Sequence, residues 1–204
     1  MRRTTSGHMR AFTLVELMIV VAIIGVLAAL AVVGVRRYLS ASRIAEAKGT
    51  VGAIARSAAL AYDQERNISE IPSSGGIYIA NTHRLCTSAT PVPANINQVQ
   101  GTKYQPDNAV NSDFGTGSSL VGWLCLGFSI NEPVHFQYHY NAGGGYLSSG
   151  LTGAPVPSED DAFEAAAQGD LDGDGNVSTF ARVGEVQNGN VTMSTSIFIH
   201  NESE

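Results

Sequence analysis

Between positions 12 and 35 the chain carries only two polar side chains, Thr13 and Glu16. At a rise of about 1.5 Å per residue such a run makes about 36 Å of helix, against a hydrocarbon core roughly 30 Å thick, so it is long enough to span a bilayer. A secretory signal peptide would end its apolar region sooner, at a small-residue cleavage site. Past Val35 the helical period persists but only one face stays apolar: Leu39, Ile44, Ala47, Val51, Ile54, Ala58 and Tyr62 recur at three- to five-residue steps, while Arg43, Glu46, Lys48, Arg56 and Ser57 fill the other side. This amphipathic helix is expected to end near Asn67, before the breaker cluster at 72–76.

From Gly75 onward the chain turns to Gly, Ser, Thr, Asn and aromatic residues. Residues 134–140 alternate apolar and polar, the mark of a half-buried strand, and Gly143, Gly144 and Gly145 follow as a turn. Similar signals at 177–183 and 191–199 predict further strands, whereas 115–119 and 148–158 read as loops. The segment 161–168 is ambiguous, because its alanines favour helix by propensity. The fold class expected is α+β, helix packed on an antiparallel sheet, and the periodicity fits one uninterrupted helix and a simple anchor followed by a separate helix equally well.

Charge changes the picture in one respect. With 12 basic and 18 acidic side chains the formal charge is -6, so a dedicated nucleic-acid ligand has no electrostatic support. Lys/Arg counting does not orient the span, because Arg2, Arg3 and Arg10 on one side face Arg36, Arg37, Arg43 and Lys48 on the other.

Candidate chemistry is confined to a few places. Glu16 is an ionisable group inside a span, by default functional and in need of a partner; the plainer alternative is a first-turn carboxylate that complements the helix dipole and reaches the interface. Asp170, Asp172 and Asp174 alternate with Gly173 and Gly175 in the acidic loop 169–178, the spacing that wraps oxygens around calcium at the start of an EF-hand loop. The closing glutamate position of that motif is Ala181, so an ion would also need Ser178, backbone carbonyls or a carboxylate such as Glu185; the other reading is an acidic β-turn with no ion. His135 and His139 share a strand face about 13 Å apart, too far to chelate one metal, and read as exposed strand positions. The sequons at Asn67 and Asn190 carry no weight, and no catalytic constellation is legible, so catalytic residues are expected to be none.

The stretch FTLVELMIVVAIIGVLAA at 12–29 closely resembles the N-terminal signature of type IV pilins and pseudopilins. The resemblance implies a leader over 1–11, cut by a prepilin peptidase between Ala11 and Phe12, with N-methylation of the new Phe12 amine. It also implies the type IV pilin fold, one long N-terminal helix whose second half packs on the antiparallel sheet, and a cytoplasmic leader with the body outside. Glu16 would then be an assembly residue that pairs with the new amine of an adjacent helix. Two departures stand out. Ala11 occupies a position where the family usually has Gly; both are small, so the cut remains feasible and is expected to be slower. A Pro common late in the apolar stretch is absent, leaving Gly25 and Gly34, each about 1 kcal/mol worse than Ala in a helix interior, to mark a segment that loosens on assembly. Similarity to delta-proteobacterial pilins, where a strand precedes an Asp-rich loop, makes 161–168 a strand. For an exported body, Cys86 and Cys125, the two cysteines of the chain, are expected to form one disulfide rather than two separate thiols.

The expected organisation is leader 1–11, membrane or filament-core helix 12–35, amphipathic helix 36–67 and β head 68–204. The expected function is a structural pilin subunit that polymerises through its helix into a type IV pilus; the alternatives are a type II secretion pseudopilin and, further off, a membrane-anchored periplasmic binding domain or enzyme. Its partners would be itself, the prepilin peptidase, the inner-membrane assembly machinery and the inner membrane before assembly. No cofactor is required, with calcium the one candidate.

Overall fold

The computed structural model describes residues 12–64, 83–107 and 109–202. The leader, including Ala11, the breaker cluster at 72–76 and the sequon at Asn67 lie outside the described residues. Helix α1 (Leu14–Asp63) contains both the apolar run and the amphipathic pattern, and it stops a few residues short of the expected end. By contacts the chain divides at Ser42/Arg43, inside α1, and the two units are described separately.

In the first unit, every described residue from 12 to 39 is exposed, including Leu17, Ile19, Ile24 and Leu30. Among the described residues α1 is the one helix long and apolar enough to cross a membrane. Gly25 and Gly34 both lie within it, and a Cβ added at either would meet nothing within 4 Å.

In the second unit, residues 43–63 of α1 pack on a five-stranded antiparallel sheet: β1 (Gln137–Ala142), β2 (Ala162–Gly169), β3 (Ser178–Gln187), β4 (Asn190–Met193) and β5 (Phe198–His200). The order is β1-β2-β3, with β4 and β5 both pairing with β3, β4 along Gly184–Gln187 and β5 along Thr179–Ala181. The expected strand at 191–199 is thus two short strands, broken where Ser194 turns to bond the Val183 carbonyl and accept from Arg182. The helix contributes small and aliphatic side chains to the core (Ala47, Val51, Ile54, Ala55, Ala58, Ala61), and the sheet with the residue before β1 contributes large aromatic ones (Phe136, Tyr138, Tyr140, Phe163, Phe180). Small against large lets the helix approach closely while the aromatic rings supply the buried area.

The alanine-rich segment 162–167 is strand β2, although its propensity favours helix. Register explains this: Ala165 and Ala167 lie under the tyrosines of β1 on the helix side, whereas Ala166, opposite His139 and Ala181, faces the other way and is equally buried. That second face is covered by the β1–β2 connection and by the segment holding Pro93 and the 3-10 turn Ile96–Val99. A central strand closed on both faces selects small side chains irrespective of helix propensity. A short helix α2 (Gly122–Leu126) ends at Gly127 in the left-handed region and carries Cys125, which is bonded to Cys86 with S–S 2.08 Å. Both sulfurs belong to buried residues of the main core.

Candidate functional site

Thr13 and Glu16 open α1 as a reciprocal cap. The Thr13 amide and hydroxyl both donate to Glu16 Oε2, at 3.0 and 2.9 Å, while the Glu16 amide donates to Thr13 Oγ1 at 3.3 Å. This is the capping-box arrangement, in which Ncap Thr and N3 Glu satisfy backbone donors that have no partner inside the helix. The carboxylate therefore stays at the helix start, one turn from Phe12, in an otherwise apolar exposed segment. Ala11, the other side of the expected cut, lies outside the described residues.

The acidic loop brings Asp170, Asp172 and Asp174 together: one carboxylate oxygen from each lies within 4.8 Å of the others. The three differ in role. Asp170 is only 2% exposed and its oxygens accept from the amides of Gly173 (2.7 Å) and Gly175 (2.9 Å) and from Gln100 Nε2 (2.8 Å). Burial pushes its carboxyl up, but these donors outweigh burial and hold it below the ordinary range. Asp172 and Asp174 are exposed and cap the amides of Asp174 and Asn176. Gly173 and Gly175, at φ +81° and +96°, permit the reversal that aims these amides inward. Ser178 is fully buried and its hydroxyl donates to the carbonyl of Gly169, the residue before Asp170, at 2.8 Å. Glu185 is seven residues along β3 from Ser178, where it accepts from Ser158 and Gln187, so it cannot complete a ligand set with Asp170.

The histidines correct an expectation. Neither occupies an exposed strand position: His139 is 8% exposed on the covered face of β1, with Nε2 at 3.0 Å from Gln137 Oε1, and burial lowers its pKa to about 4. Gln137 Nε2 donates to Pro93 O, which leaves Oε1 as the acceptor and assigns the proton to His139 Nε2. His135 precedes β1 and contacts Glu46 on α1, its amide donating to Oε1 at 3.2 Å and Nδ1 lying 2.8 Å from Oε2.

Sequence reasoning missed Glu164. It is fully buried in β2, where it accepts from the amides of Leu147 (2.6 Å) and Ser148 (3.2 Å) and from the Ser148 hydroxyl. Burial raises its pKa despite these donors. Glu164 at one end of the β1–β2 connection and Glu185 at the other hold that long segment on the sheet.

Comparison with known proteins bears on the N-terminal element above all. Residues 7–32 match the prokaryotic N-terminal methylation motif, the type IV pilin signature. Fimbrial protein EcpC of Eikenella corrodens is 28% identical over 154 residues, which cover 73% of this chain and 94% of that protein. No solved structure matches the chain significantly. With the apolar helix, the antiparallel sheet and the Cys86–Cys125 bridge, the architecture is type IV pilin-like.

Proposed function

We propose that a methylation motif leading into an exposed apolar helix makes this chain a structural pilin subunit, stored in the inner membrane and polymerised through α1 into a type IV pilus. The observation that carries the reading is the 12–35 run, exposed over its whole described length and interrupted only by the Thr13–Glu16 cap. Leaving lipid is offset by burying the same apolar surface against neighbouring helices. The prepilin peptidase would cut between Ala11 and Phe12 and the Phe12 amine would be methylated; Glu16, one turn away, would then meet the amine of an adjacent copy and reward correct axial register. Gly25 and Gly34 would allow the helix to loosen as it packs. The body would stand in the periplasm before assembly and on the cell surface after it. A scaffold role requires no catalytic group, and the family resemblance points to structure rather than catalysis.

Calcium belongs to this reading as a secondary proposal. The donor set is all oxygen, which suits a hard cation. Asp170, Asp172 and Asp174 would hold the ion, with Ser178, backbone carbonyls or water completing the set. Melting of the full chain in detergent at millimolar calcium and in chelator is the test; identical midpoints leave the acidic-turn explanation.

The decisive experiment is intact-mass analysis of the envelope protein together with a deletion strain scored for pili, surface motility and exoprotein secretion. A mature chain starting at methylated Phe12 and loss of pili are expected. A mature chain that retains Met1 overturns the reading, and loss of secretion with pili intact transfers it to a type II secretion pseudopilin.

A further inference from the structure

The first turn of α1 that touches the head carries Glu46, Ala47 and Lys48. Ala47 is fully buried against the sheet. At about 100° per residue, its two neighbours project to either side of the line along which the helix rests, roughly 200° apart from each other. Each finds a charged or polar partner on a different side of the sheet. Glu46 reaches the β1 side, where it accepts from the His135 amide, contacts His135 Nδ1 at 2.8 Å and accepts more weakly from the Tyr138 hydroxyl at 3.4 Å. Lys48 reaches the β5 side, where Nζ lies 2.5 Å from Glu202 Oε1, two residues past the end of the last strand. Since β1 and β5 lie on opposite sides of the central pair β2 and β3, one helical turn is fastened to both flanks of the sheet.

We propose that Glu46 and Lys48 form a two-sided clasp that fixes the rotation of residues 43–63 of α1 on the sheet. Apolar packing sets this rotation only in part, because the first turn in contact carries a single fully buried side chain, Ala47. Four of the eight buried residues of α1 are alanines, whose small side chains resist rolling weakly because few ridges interlock, whereas Val51, Ile54 and Tyr62 resist it further along, away from the first turn that meets the sheet. Two oppositely charged arms at 200° convert a roll in either direction into the loss of one polar contact. The arms differ in exposure: the Lys48 and Glu202 side chains are 35% and 51% exposed, those of His135 and Glu46 12% and 31%. Salt therefore weakens the β5 arm more than the β1 arm. The consequence for filaments rests on the self-assembly reading; the clasp itself does not.

Hydrogen exchange of the full chain in detergent micelles tests it, with Lys48→Glu, the swap Lys48→Glu with Glu202→Lys, and Glu46→Gln. In Lys48→Glu, exchange at 198–202 is expected to rise about 2- to 5-fold, the range of an exposed ion pair, with 162–169 unchanged, and the swap is expected to restore it. Glu46→Gln is expected to speed exchange at 134–138 and leave 198–202 alone, and high salt is expected to reproduce the Lys48→Glu pattern. Unchanged exchange in Lys48→Glu, a uniform rise through the whole sheet, or failure of the swap to restore 198–202 overturns the clasp. The same variants expressed in cells are expected to give fewer filaments, recovered by the swap. Local exchange effects in a wild-type chain that never forms filaments would retain the clasp and overturn self-assembly; absent exchange effects with normal filaments would do the reverse.

Discussion

Replacing His139 by Gln should flatten the acid limb of the head's stability. The imidazole is 8% exposed and loses its proton at about 4 in the fold, because burial penalises its charged form. In the unfolded chain it titrates near 6.5. Between those two values the unfolded state binds the extra proton, so stability falls as the pH falls, by about 1.4 kcal/mol per pH unit inside the window. Its favourable contribution is fully present above about 6.5, and about 3 kcal/mol is lost on reaching about 4. Glu164 acts in the opposite sense: its raised pKa makes its contribution shrink as the pH rises above the ordinary carboxylate range, so it masks part of the effect in the same region. Comparing wild type with His139→Gln at each pH cancels that term, and Gln retains an N–H donor for Gln137. Urea unfolding of the full chain in detergent, read from the fluorescence of Trp123, the single and fully buried tryptophan, gives both curves. The difference between them should change by about 3 kcal/mol from pH 7 to pH 4. Parallel curves over that range would mean that His139 carries its proton in the fold, and the burial argument would be wrong.

Other outcomes follow from the same coordinates. Glu16→Val should yield a processed, membrane-resident subunit that no longer supports filaments, counted by electron microscopy; normal filament numbers would return Glu16 to a helix-capping role. Gly184→Ala places a Cβ 2.5 Å from Phe163 Cζ in the core, and the overpacking should cost about 1–3 kcal/mol in the same unfolding assay. Cys86→Ser with Cys125→Ser removes a crosslink closing 39 positions and should cost about 4 kcal/mol, while quantitative thiol titration of the denatured, unreduced wild type should find none free.

The parts of the fold legible in the sequence are those where neighbours along the chain carry the signal. The 12–35 run and the 3.6-residue period after it identify α1, and the alternating Asp-Gly steps identify the tight loop at 170–176. What stayed hidden depends on which segments come to lie over the sheet. His139 alternates with apolar residues just as a solvent-facing position would, and only the cover provided by Pro93 and the β1–β2 connection, remote in sequence, makes it buried. Glu164 in an alanine run gives no sign of its partners at 147 and 148 until that connection folds back. Glu46 and His135 are 89 positions apart, and no local pattern joins them. The same holds for Gln100 and Asp170, separated by 70.

Strand β2 has no side that meets water: seven of its eight residues are buried and the eighth, Gln168, is half-buried. A larger side chain at Ala165, Ala166 or Ala167 collides with the helix-side core or with the covering connection, so this strand tolerates little substitution. Substitution is tolerated instead in segments that the sheet holds without burying them, such as Pro155, Val156 and Pro157, where Val156 is 88% exposed. Because Glu164 and Glu185 fasten the β1–β2 connection from inside the sheet, residues between the two fastenings can change without loss of the scaffold that displays them.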